Sequence, residues 1–491
     1  MKKTLTLIMT FVLVLAMHQA HSQLEKSSFT QTGSAYSLSS INDYQSLGIN
    51  PANLGWKRNG HTMNLGFLES AFSVYSEPLG KKEVIRDLIM GSSDAFETAA
   101  QRREAIASFT DTRLLASISI MSLGFSYQDE KVGGFAFTVR DNIHWNSDLN
   151  GMASRFLFTG YEEGDFFNDP YFDSIALQPN GDTIAYATDP QKASWLYHPT
   201  DIEHVYYREY ILGYGRKFVD KDDFKFYAGI DIKYLQGYGI LDYTSVSETE
   251  VDGYQALCPF YQVNYSDPTP SQMEGEGMKA AGHGFGFDIG VTFEIIRKIR
   301  ASIALNDMGF INWDGNVYEG ENVDITQIET NGINSYNIFE EGQGIIADNN
   351  NLGEWKGLKE KKVNLASNMR VGGSYLIQEG LEVGADFLIP LQAEVPGAFK
   401  KLVFGLGTRY DPLPWVQLST GFMTGGQFAW AIPLGVTLRP VNKEHVSWEL
   451  GFAFRDFSTF FKQEDPNVSL AMGFLRFSFG TGGSGQRFPE E

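Results

Sequence analysis

Residues His445–Asp456 show an alternation of side chains that recurs along most of the chain. The large apolar residues are Val446, Trp448, Leu450, Phe452 and Phe454, and the residues between them are Ser447, Glu449, Gly451, Ala453 and Arg455. Successive side chains of a β-strand point to opposite faces, so one face is apolar and the other is small or charged. The alternation lasts about as long as a tilted strand needs to cross a bilayer. It predicts a transmembrane strand with its apolar face toward lipid and its polar face toward a lumen.

Segments with this pattern follow one another from residue 61 to residue 479. They are 61–75, 112–127, 131–146, 203–218, 223–243, 283–296, 298–312, 363–378, 380–391, 399–411, 415–424, 427–439, 445–457 and 468–479. Bacterial outer-membrane barrels have an even number of antiparallel strands. The sequence therefore predicts an all-β fold, a transmembrane antiparallel β-barrel of about 14 strands over residues 61–479.

The connections between these segments alternate in length. The short ones are 128–130, 220–222, 297, 379, 412–414 and 441–444, and the others are 76–111, 147–202, 244–282, 313–362, 392–398, 425–426 and 458–467. Outer-membrane barrels alternate tight periplasmic turns with longer external loops in this way. We expect a helix over Lys81–Ser108 that caps the barrel mouth, and an Asn-Gly hairpin over Ile175–Tyr186.

Both ends of the chain are predicted to lie outside the barrel. Lys2 and Lys3 precede the apolar stretch Leu5–Met17, and Ala20-His21-Ser22 offers a cleavage site. Residues 1–22 therefore predict a cleaved signal peptide and export to the outer membrane of a Gram-negative cell. Residues 480–491 are predicted to be a periplasmic tail.

Residues 23–60 lack the strand pattern and contain Asn50-Pro51-Ala52. In this position the triplet resembles the Asn-Pro-Ala motif of the FadL-type long-chain fatty-acid transporter family, which lies in an N-terminal hatch. The resemblance implies a 14-stranded barrel with residues 23–60 as its plug, passage of small hydrophobic molecules, and a gate that includes Asn50, Pro51 and Ala52. The external loops are longer and more acidic than such a transporter needs.

Two further segments are similar to features of related barrels. Arg140-Asp141-Asn142 interrupts the apolar alternation of the third strand, where the FadL-type family has a kink that opens the wall toward lipid. We expect either an equivalent opening there or simply the end of the strand. Residues Ile303–Trp313 resemble a recurrent segment of an uncharacterised envelope-barrel family, and Asn306 and Asp307 are expected to form a bulge that ends strand pairing.

Alternation assigns a set of charged residues to the lumen face. Those expected to line it are Lys233, Asp288, Glu294, Arg300, Arg370, Asp386, Arg409, Glu449 and Arg455. A charge facing lipid at mid-depth would cost about 2–4 kcal/mol, which makes the inward orientation necessary. These residues form either an ion-pair lattice that fixes strand register or a polar conduit for a solute.

Composition narrows the possible functions. The net charge of −21 argues against nucleic-acid binding, and the single cysteine permits no intrachain disulfide. The histidines lack metal-ligand spacing and there is no Gly-x-Ser-x-Gly motif, so we expect no metal, no cofactor and no catalytic site. The expected partners are outer-membrane lipid and a hydrophobic small molecule. The alternative is a barrel that does not transport and instead docks secreted or surface proteins.

Overall fold

The structure is a computed structural model, and it describes most of the chain. The described residues are 28–57, 61–91, 96, 98–158, 172, 174–177, 183–263, 268–328, 333, 335–336, 354–426, 428–443, 445–462 and 466–480. The predicted signal peptide and residues 481–491 of the predicted tail lie outside these ranges.

Fourteen antiparallel strands form a closed barrel. They are β1 (Met63–Ser76), β2 (Arg113–Asp129), β3 (Gly133–Asp148), β4 (Asp201–Lys221), β5 (Phe224–Ser247), β6 (Gly282–Ile295), β7 (Ile299–Trp313), β8 (Asn368–Gln378), β9 (Leu381–Pro390), β10 (Val403–Leu413), β11 (Val416–Gly425), β12 (Leu434–Asn442), β13 (Val446–Phe454) and β14 (Asn467–Phe479). Each pairs with its neighbours in the chain, and β1 also pairs with β14, which closes the ring. The predicted fold class is confirmed.

One predicted strand is divided in two. The segment 427–439 forms a short strand, Phe428–Ala431, and then β12 from Leu434. Pro433 lies between them and has no N–H group to donate to a ladder, so regular pairing with β11 begins only at Leu434.

The connections sort by length as predicted. Residues 130–132, 222–223, 296–298, 379–380 and 414–415 make the short turns, β12 and β13 are likewise close in sequence, and we call this end of the barrel the turn end. The opposite end, which carries the long connections, is the loop end. Here β4 and β5 are 21 and 24 residues long, whereas β12 and β13 have 9 each, so the wall is tall on one side and low on the other.

The loop end has secondary structure of its own. The predicted helix over 81–108 consists of shorter helices, Lys81–Glu83, Val84–Ile89 and Ala99–Phe109. The predicted hairpin pairs Ser174–Leu177 with Thr183–Lys192, although its Asn-Gly turn falls outside the described residues. The remaining strands of this region are Glu250–Leu257, Val317–Glu321, Asp324–Ile328, Glu354–Gly357 and Lys361–Asn364.

The outward face of the barrel carries its exposed apolar side chains. These include Leu212, Ile230, Ile232, Phe285, Phe287, Ile303, Leu406, Phe422 and Phe452. An apolar surface that continues around the whole wall is far larger than a water-exposed face of a monomer carries, and it suits contact with acyl chains.

In the part of the chain that the structure describes, no helix is long and apolar enough to cross a membrane.

Residues 28–57 lie inside the barrel, and we call them the inner segment. They form a helical turn at Phe29–Thr32 and two 3₁₀-helices, Asp43–Ser46 and Pro51–Gly55. Almost every residue is buried. The ring of Tyr44 fits against Gly66 of β1 and Gly124 of β2, where a methyl group would overlap it. Lumen-facing glycines therefore provide the space that the inner segment occupies.

Candidate functional site

The lumen is the candidate site, and the Asn50-Pro51-Ala52 triplet is folded into it. Asn50 caps the second 3₁₀-helix, because its Oδ1 accepts from the N–H of Ala52 at 3.2 Å, and Pro51 takes the first helical position. The Nδ2 of Asn50 donates to Leu38 O and to Thr292 Oγ1 of β6, at 3.1 and 2.9 Å. The triplet thus joins two parts of the inner segment to the wall.

Charged residues of β9 and β10 bind backbone groups of the inner segment. One carboxylate oxygen of Asp386 accepts from the N–H groups of Ser37 and Leu38, at 2.5 and 2.8 Å. Arg409 donates to the carbonyl oxygens of Thr30 and Ser40, at 2.8 and 3.2 Å. These side chains satisfy buried backbone groups that a short irregular segment cannot pair by itself.

A second set of charges connects the inner segment to the turn end. Arg476 of β14 lies 2.5 Å from Asp43 and 2.7 Å from Glu449 of β13. Arg439 of β12 continues the network, with contacts of 2.6 Å to Glu449 and 3.3 Å to Asp411. A polar cavity of about 550 Å³, counted with its opening, adjoins this network. Its lining includes Asp43, His61, Arg409, Glu449 and Arg476.

The bulge predicted in β7 forms, and it reaches the inner segment. Pairing with β6 shifts register between Leu305 and Met308, and Asp307 has a positive φ of 59°. Asn306 donates to Ile49 O at 3.2 Å, immediately before the triplet. The expectation that the bulge ends pairing holds for one neighbour only: pairing with β8 ends at Asn306, opposite Asn368, whereas pairing with β6 continues as far as Trp313.

Lys233 of β5 holds the bulge in place. Its Nζ lies 2.6 Å from Asp307 and 2.8 Å from Asp288, and Asp288 accepts the N–H of Asp307 at 2.7 Å. Asp231, on the same face of β5, accepts the N–H of Gly48 at 3.2 Å. The bulge and β5 therefore both hold the loop of the inner segment that precedes Asn50.

The remaining predicted lumen residues also lie inside the barrel. Glu294 pairs with Lys225 at 2.9 Å and with Arg300 at 3.2 Å, and Arg300 stacks 4.0 Å from the ring centroid of Trp56. Arg370 lies 3.5 Å from Ser37 Oγ, and Arg455 is buried and lines a cavity with Gln31 and Thr32 of the inner segment. Among the predicted residues, ion pairs are formed by Lys233, Asp288, Glu294, Arg300 and Glu449, and Asp386 and Arg409 bind the inner segment, which neither prediction foresaw.

Glu69 and Arg476 bind the inner segment and were not among the predicted lumen residues. Glu69 accepts from Tyr44 OH at 2.6 Å and from Gln45 Nε2 at 2.8 Å. Strict alternation places Glu69 outside, but Leu68 adopts a φ of 53° and faces outward, so the alternation reverses there and Glu69 is buried inside, while β1 keeps one register with β2 and with β14. Arg476 gave a usable signal, because it alternates with Leu475 and Phe477 and so belongs to the lumen face.

The polar triplet of β3 does not interrupt the strand. β3 is paired with β2 from Gly133 and with β4 from Gly134, in both cases as far as Asp148. Both earlier expectations, a break in the wall and a strand that ends near Arg140, are therefore wrong. The gating role assigned to the triplet remains a prediction.

The three side chains of this triplet point to alternate sides of the wall. Arg140 faces inward and lies 3.6 Å from Glu209, and Asn142 accepts from Ser119 Oγ at 3.1 Å. Asp141 faces outward and lies 3.0 Å from Arg208. Each of the three polar side chains therefore has a polar partner, two of them in the lumen and one on the outer face.

An apolar pocket lies at the loop end of the lumen. Its enclosed space is about 30 Å³, or about 390 Å³ when the open space at its mouth is counted, and its lining includes Val205, Ile240, Ile311, Trp313, Val363, Leu365 and Pro396. Tyr207 and His144 also line it, and Tyr207 is the cross-strand partner of Asn142. His144 Nδ1 lies 3.0 Å from Ser117 Oγ. The pocket thus adjoins the triplet of β3 on its inner side.

Solved structures of FadL-type barrels are similar to this chain at low sequence identity. The Pseudomonas putida toluene transporter TodX matches with 10% identity and a TM-score of 0.43, over 94% of this chain and 100% of that chain. The Ralstonia pickettii toluene transporter TbuX matches with 10% identity and a TM-score of 0.43, over 92% of this chain and 98% of that chain. A Pseudomonas aeruginosa FadL homologue matches with 10% identity and a TM-score of 0.40, over 94% of this chain and 99% of that chain.

Comparison by sequence identifies one family. The model of a family of unknown function, DUF5723, matches residues 58–443. No curated protein matches the chain.

Proposed function

The chain belongs to the family of unknown function DUF5723, and from this premise we propose that it is an outer-membrane barrel that admits a small hydrophobic molecule. The molecule enters the loop-end pocket and passes toward the turn end when the inner segment moves. The single observation that carries the proposal is the apolar pocket itself, which lies on the loop-end side of the inner segment and within a polar lumen. A concave apolar site with a few polar groups is the usual form of a site for small hydrophobic ligands, and the enclosed space of about 30 Å³ must widen to admit one.

The polar contacts of the inner segment support its role as the plug. Its bonds to Asp386, Arg409, Glu69 and Arg476 come from strands around the ring. Hydrogen bonds to charged groups contribute about 1.5–3 kcal/mol each, and a concerted shift of the segment can exchange them for bonds to water. The polar cavity at the turn end gives water access to this side of the segment.

Binding of the hydrophobic fluorophore N-phenyl-1-naphthylamine to the purified barrel in detergent tests the proposal. Val363→Trp fills the pocket, because Val363 lines it, and should abolish binding. Lys362→Trp is the matched control, because Lys362 is exposed on the opposite face of the same strand and stacks on Phe310. Binding that both variants retain at the wild-type level would contradict the proposal.

A second function, docking of secreted or surface proteins, is favoured by one specific observation. The wall of β3 is paired on both sides throughout, and the inner segment is bonded to strands all round the lumen. A barrel built in this way can serve as a rigid base for its ordered loop-end strands. Capture of exported proteins by the native barrel, unaffected by Val363→Trp, would favour this function over transport.

A further inference from the structure

The connection between β9 and β10, residues 391–402, crosses the mouth of the barrel. It starts and ends at β9 and β10, which belong to the low side of the wall, yet its middle contacts β3 and β4 on the tall side. A Cβ at Gly397 would lie 3.1 Å from His144 Cδ2 and 3.2 Å from Val205 Cγ1. Pro396 and Gly397 form one side of the loop-end pocket. The connection therefore covers the pocket.

The two ends of this connection are fixed to the low wall. The N–H of Leu391 donates to Ser367 O at 2.8 Å. Near the other end, Phe399 packs on the cluster of Leu388, Val403 and Met423. Between these points a turn places the N–H of Ala398 3.1 Å from Val395 O. The middle of the connection reaches the opposite wall from these fixed ends.

One ion pair joins the connection to the tall wall. Lys400 Nζ lies 2.6 Å from Glu203 Oε1 of β4. Asp242 is the cross-strand partner of Glu203, and Asp201 lies two residues away on the same face, so the ammonium group enters a group of three carboxylates. Burial by itself lowers the pKa of a lysine, but the attraction of Glu203, its hydrogen bond and the nearby carboxylates of Asp201 and Glu394 together outweigh burial and raise the pKa of Lys400 above its usual value. Lys400 therefore stays charged at neutral pH.

We propose that residues 391–402 are a lid over the loop-end pocket, held closed by the Lys400–Glu203 ion pair, and that a small apolar molecule enters when this contact opens. The chemical class of the molecule rests on the proposed function, whereas the lid rests on the contacts above. With the lid closed, the pocket is bounded by Pro396 and Gly397 as well as by the wall. Opening exposes Val205 and Ile240 to the loop-end solvent.

The accessibility of a pocket cysteine tests the lid without using a ligand. Ile240→Cys is introduced into a Cys258→Ala background, and the rate of its reaction with a maleimide is measured in the purified full-length barrel. Lys400→Glu places a fourth carboxylate beside Glu203, Asp201 and Asp242, so repulsion should open the lid. We expect labelling to be about tenfold faster, which corresponds to a loss of about 1.4 kcal/mol of lid closure. The reversed pair Lys400→Glu with Glu203→Lys should restore slow labelling.

A neighbouring residue gives the control for surface charge. Lys401→Glu makes the same charge change on an exposed lysine and should leave the rate at the wild-type value. Equal rates for Lys400→Glu and the wild type would overturn the lid, and so would equal acceleration by Lys401→Glu. Glu203→Gln, which keeps the shape of the side chain, replaces Lys400→Glu if that variant does not fold. If Lys400→Glu or Glu203→Gln labels fast but does not bind N-phenyl-1-naphthylamine, the proposed function is overturned and the lid is still supported.

Discussion

The guanidinium group of Arg476 lies 2.5 Å from the carboxylate of Asp43, and this ion pair ties the last strand of the barrel to the inner segment. Both side chains are buried, and Glu449 lies on the other side of the same guanidinium group at 2.7 Å. The pair closes a path of contacts from the inner segment through β14, β13 and β12. The barrel wall and the inner segment are therefore electrostatically coupled at the turn end.

Replacement of Arg476 should destabilise the barrel strongly. Arg476→Met leaves Asp43 without its cation in a buried position, and removal of one partner of a buried pair costs about 3–5 kcal/mol. The midpoint of thermal unfolding, followed by the shift in electrophoretic mobility that folded barrels show, should fall. Asp43→Asn in the Arg476→Met background should recover part of the loss, because it removes the uncompensated charge. A double variant as unstable as Arg476→Met alone would contradict the pairing.

Filling the space beside Tyr44 should expel the inner segment. Gly124→Val places two methyl groups where the Tyr44 ring lies, and overpacking of this kind costs about 1–3 kcal/mol. Protease cleavage within residues 28–57 should become faster while the strands stay protected. Tyr44→Ala combined with Gly124→Val should return cleavage toward the wild-type rate. Unchanged protection in Gly124→Val would mean that Tyr44 does not hold the segment in the lumen.

The sequence predicted the wall well because alternation is a direct consequence of a wall with lipid on one side and polar groups on the other. It failed where an irregularity within a strand reverses the alternation. In β1, Leu68 points outward and Glu69 points inward. In β7, even-numbered residues such as Ala304 face the lumen before the bulge at Asn306–Asp307, and odd-numbered residues such as Ile311 face it after the bulge. Such bulges depend on contacts with the inner segment, which are distant in sequence from the strand that contains them.

The candidate site was less predictable than the wall for the same reason. Arg409 and Asp386 were assigned to the lumen, but their partners are backbone groups of residues more than 340 positions away. Nothing in a strand pattern indicates which irregular segment will enter the barrel at that height. The loop-end pocket was also beyond reach, since Pro396 and Gly397 complete it from a connection that has no strand or helix pattern.

The two polar neighbours of β3 should differ in their effect on stability. Arg140 faces the lumen beside the fully buried Glu209, so Arg140→Met should cost several kcal/mol, about 3–5, through the charge left behind. Asp141 faces outward, is itself buried and accepts from both Arg208 and Tyr206 OH, and because asparagine keeps an acceptor oxygen, Asp141→Asn should cost only about 0.5–1.5 kcal/mol. Thermal unfolding of the two variants measures the difference. A larger loss for Asp141→Asn would contradict the assignment of faces.

Fixing the inner segment to the wall should separate transport from docking. A Cβ at Gly421 of β11 would lie 2.7 Å from Ala35 Cβ and 2.5 Å from Leu406 O, so Ala35→Cys with Gly421→Cys in a Cys258→Ala background requires β11 to move away from both before the two Cβ atoms reach the usual 3.5–4.5 Å of a disulfide. The oxidised protein should lose passage of N-phenyl-1-naphthylamine into liposomes, and a reductant should restore it, because the segment must move for a molecule to pass. Binding of the fluorophore to the loop-end pocket should persist in both states, since the pocket does not include Ala35.

Single-cysteine variants control for the substitutions themselves. Passage that continues in the oxidised protein would mean that the route does not run through the lumen, and capture of exported proteins that is equal in both states would then favour docking as the function.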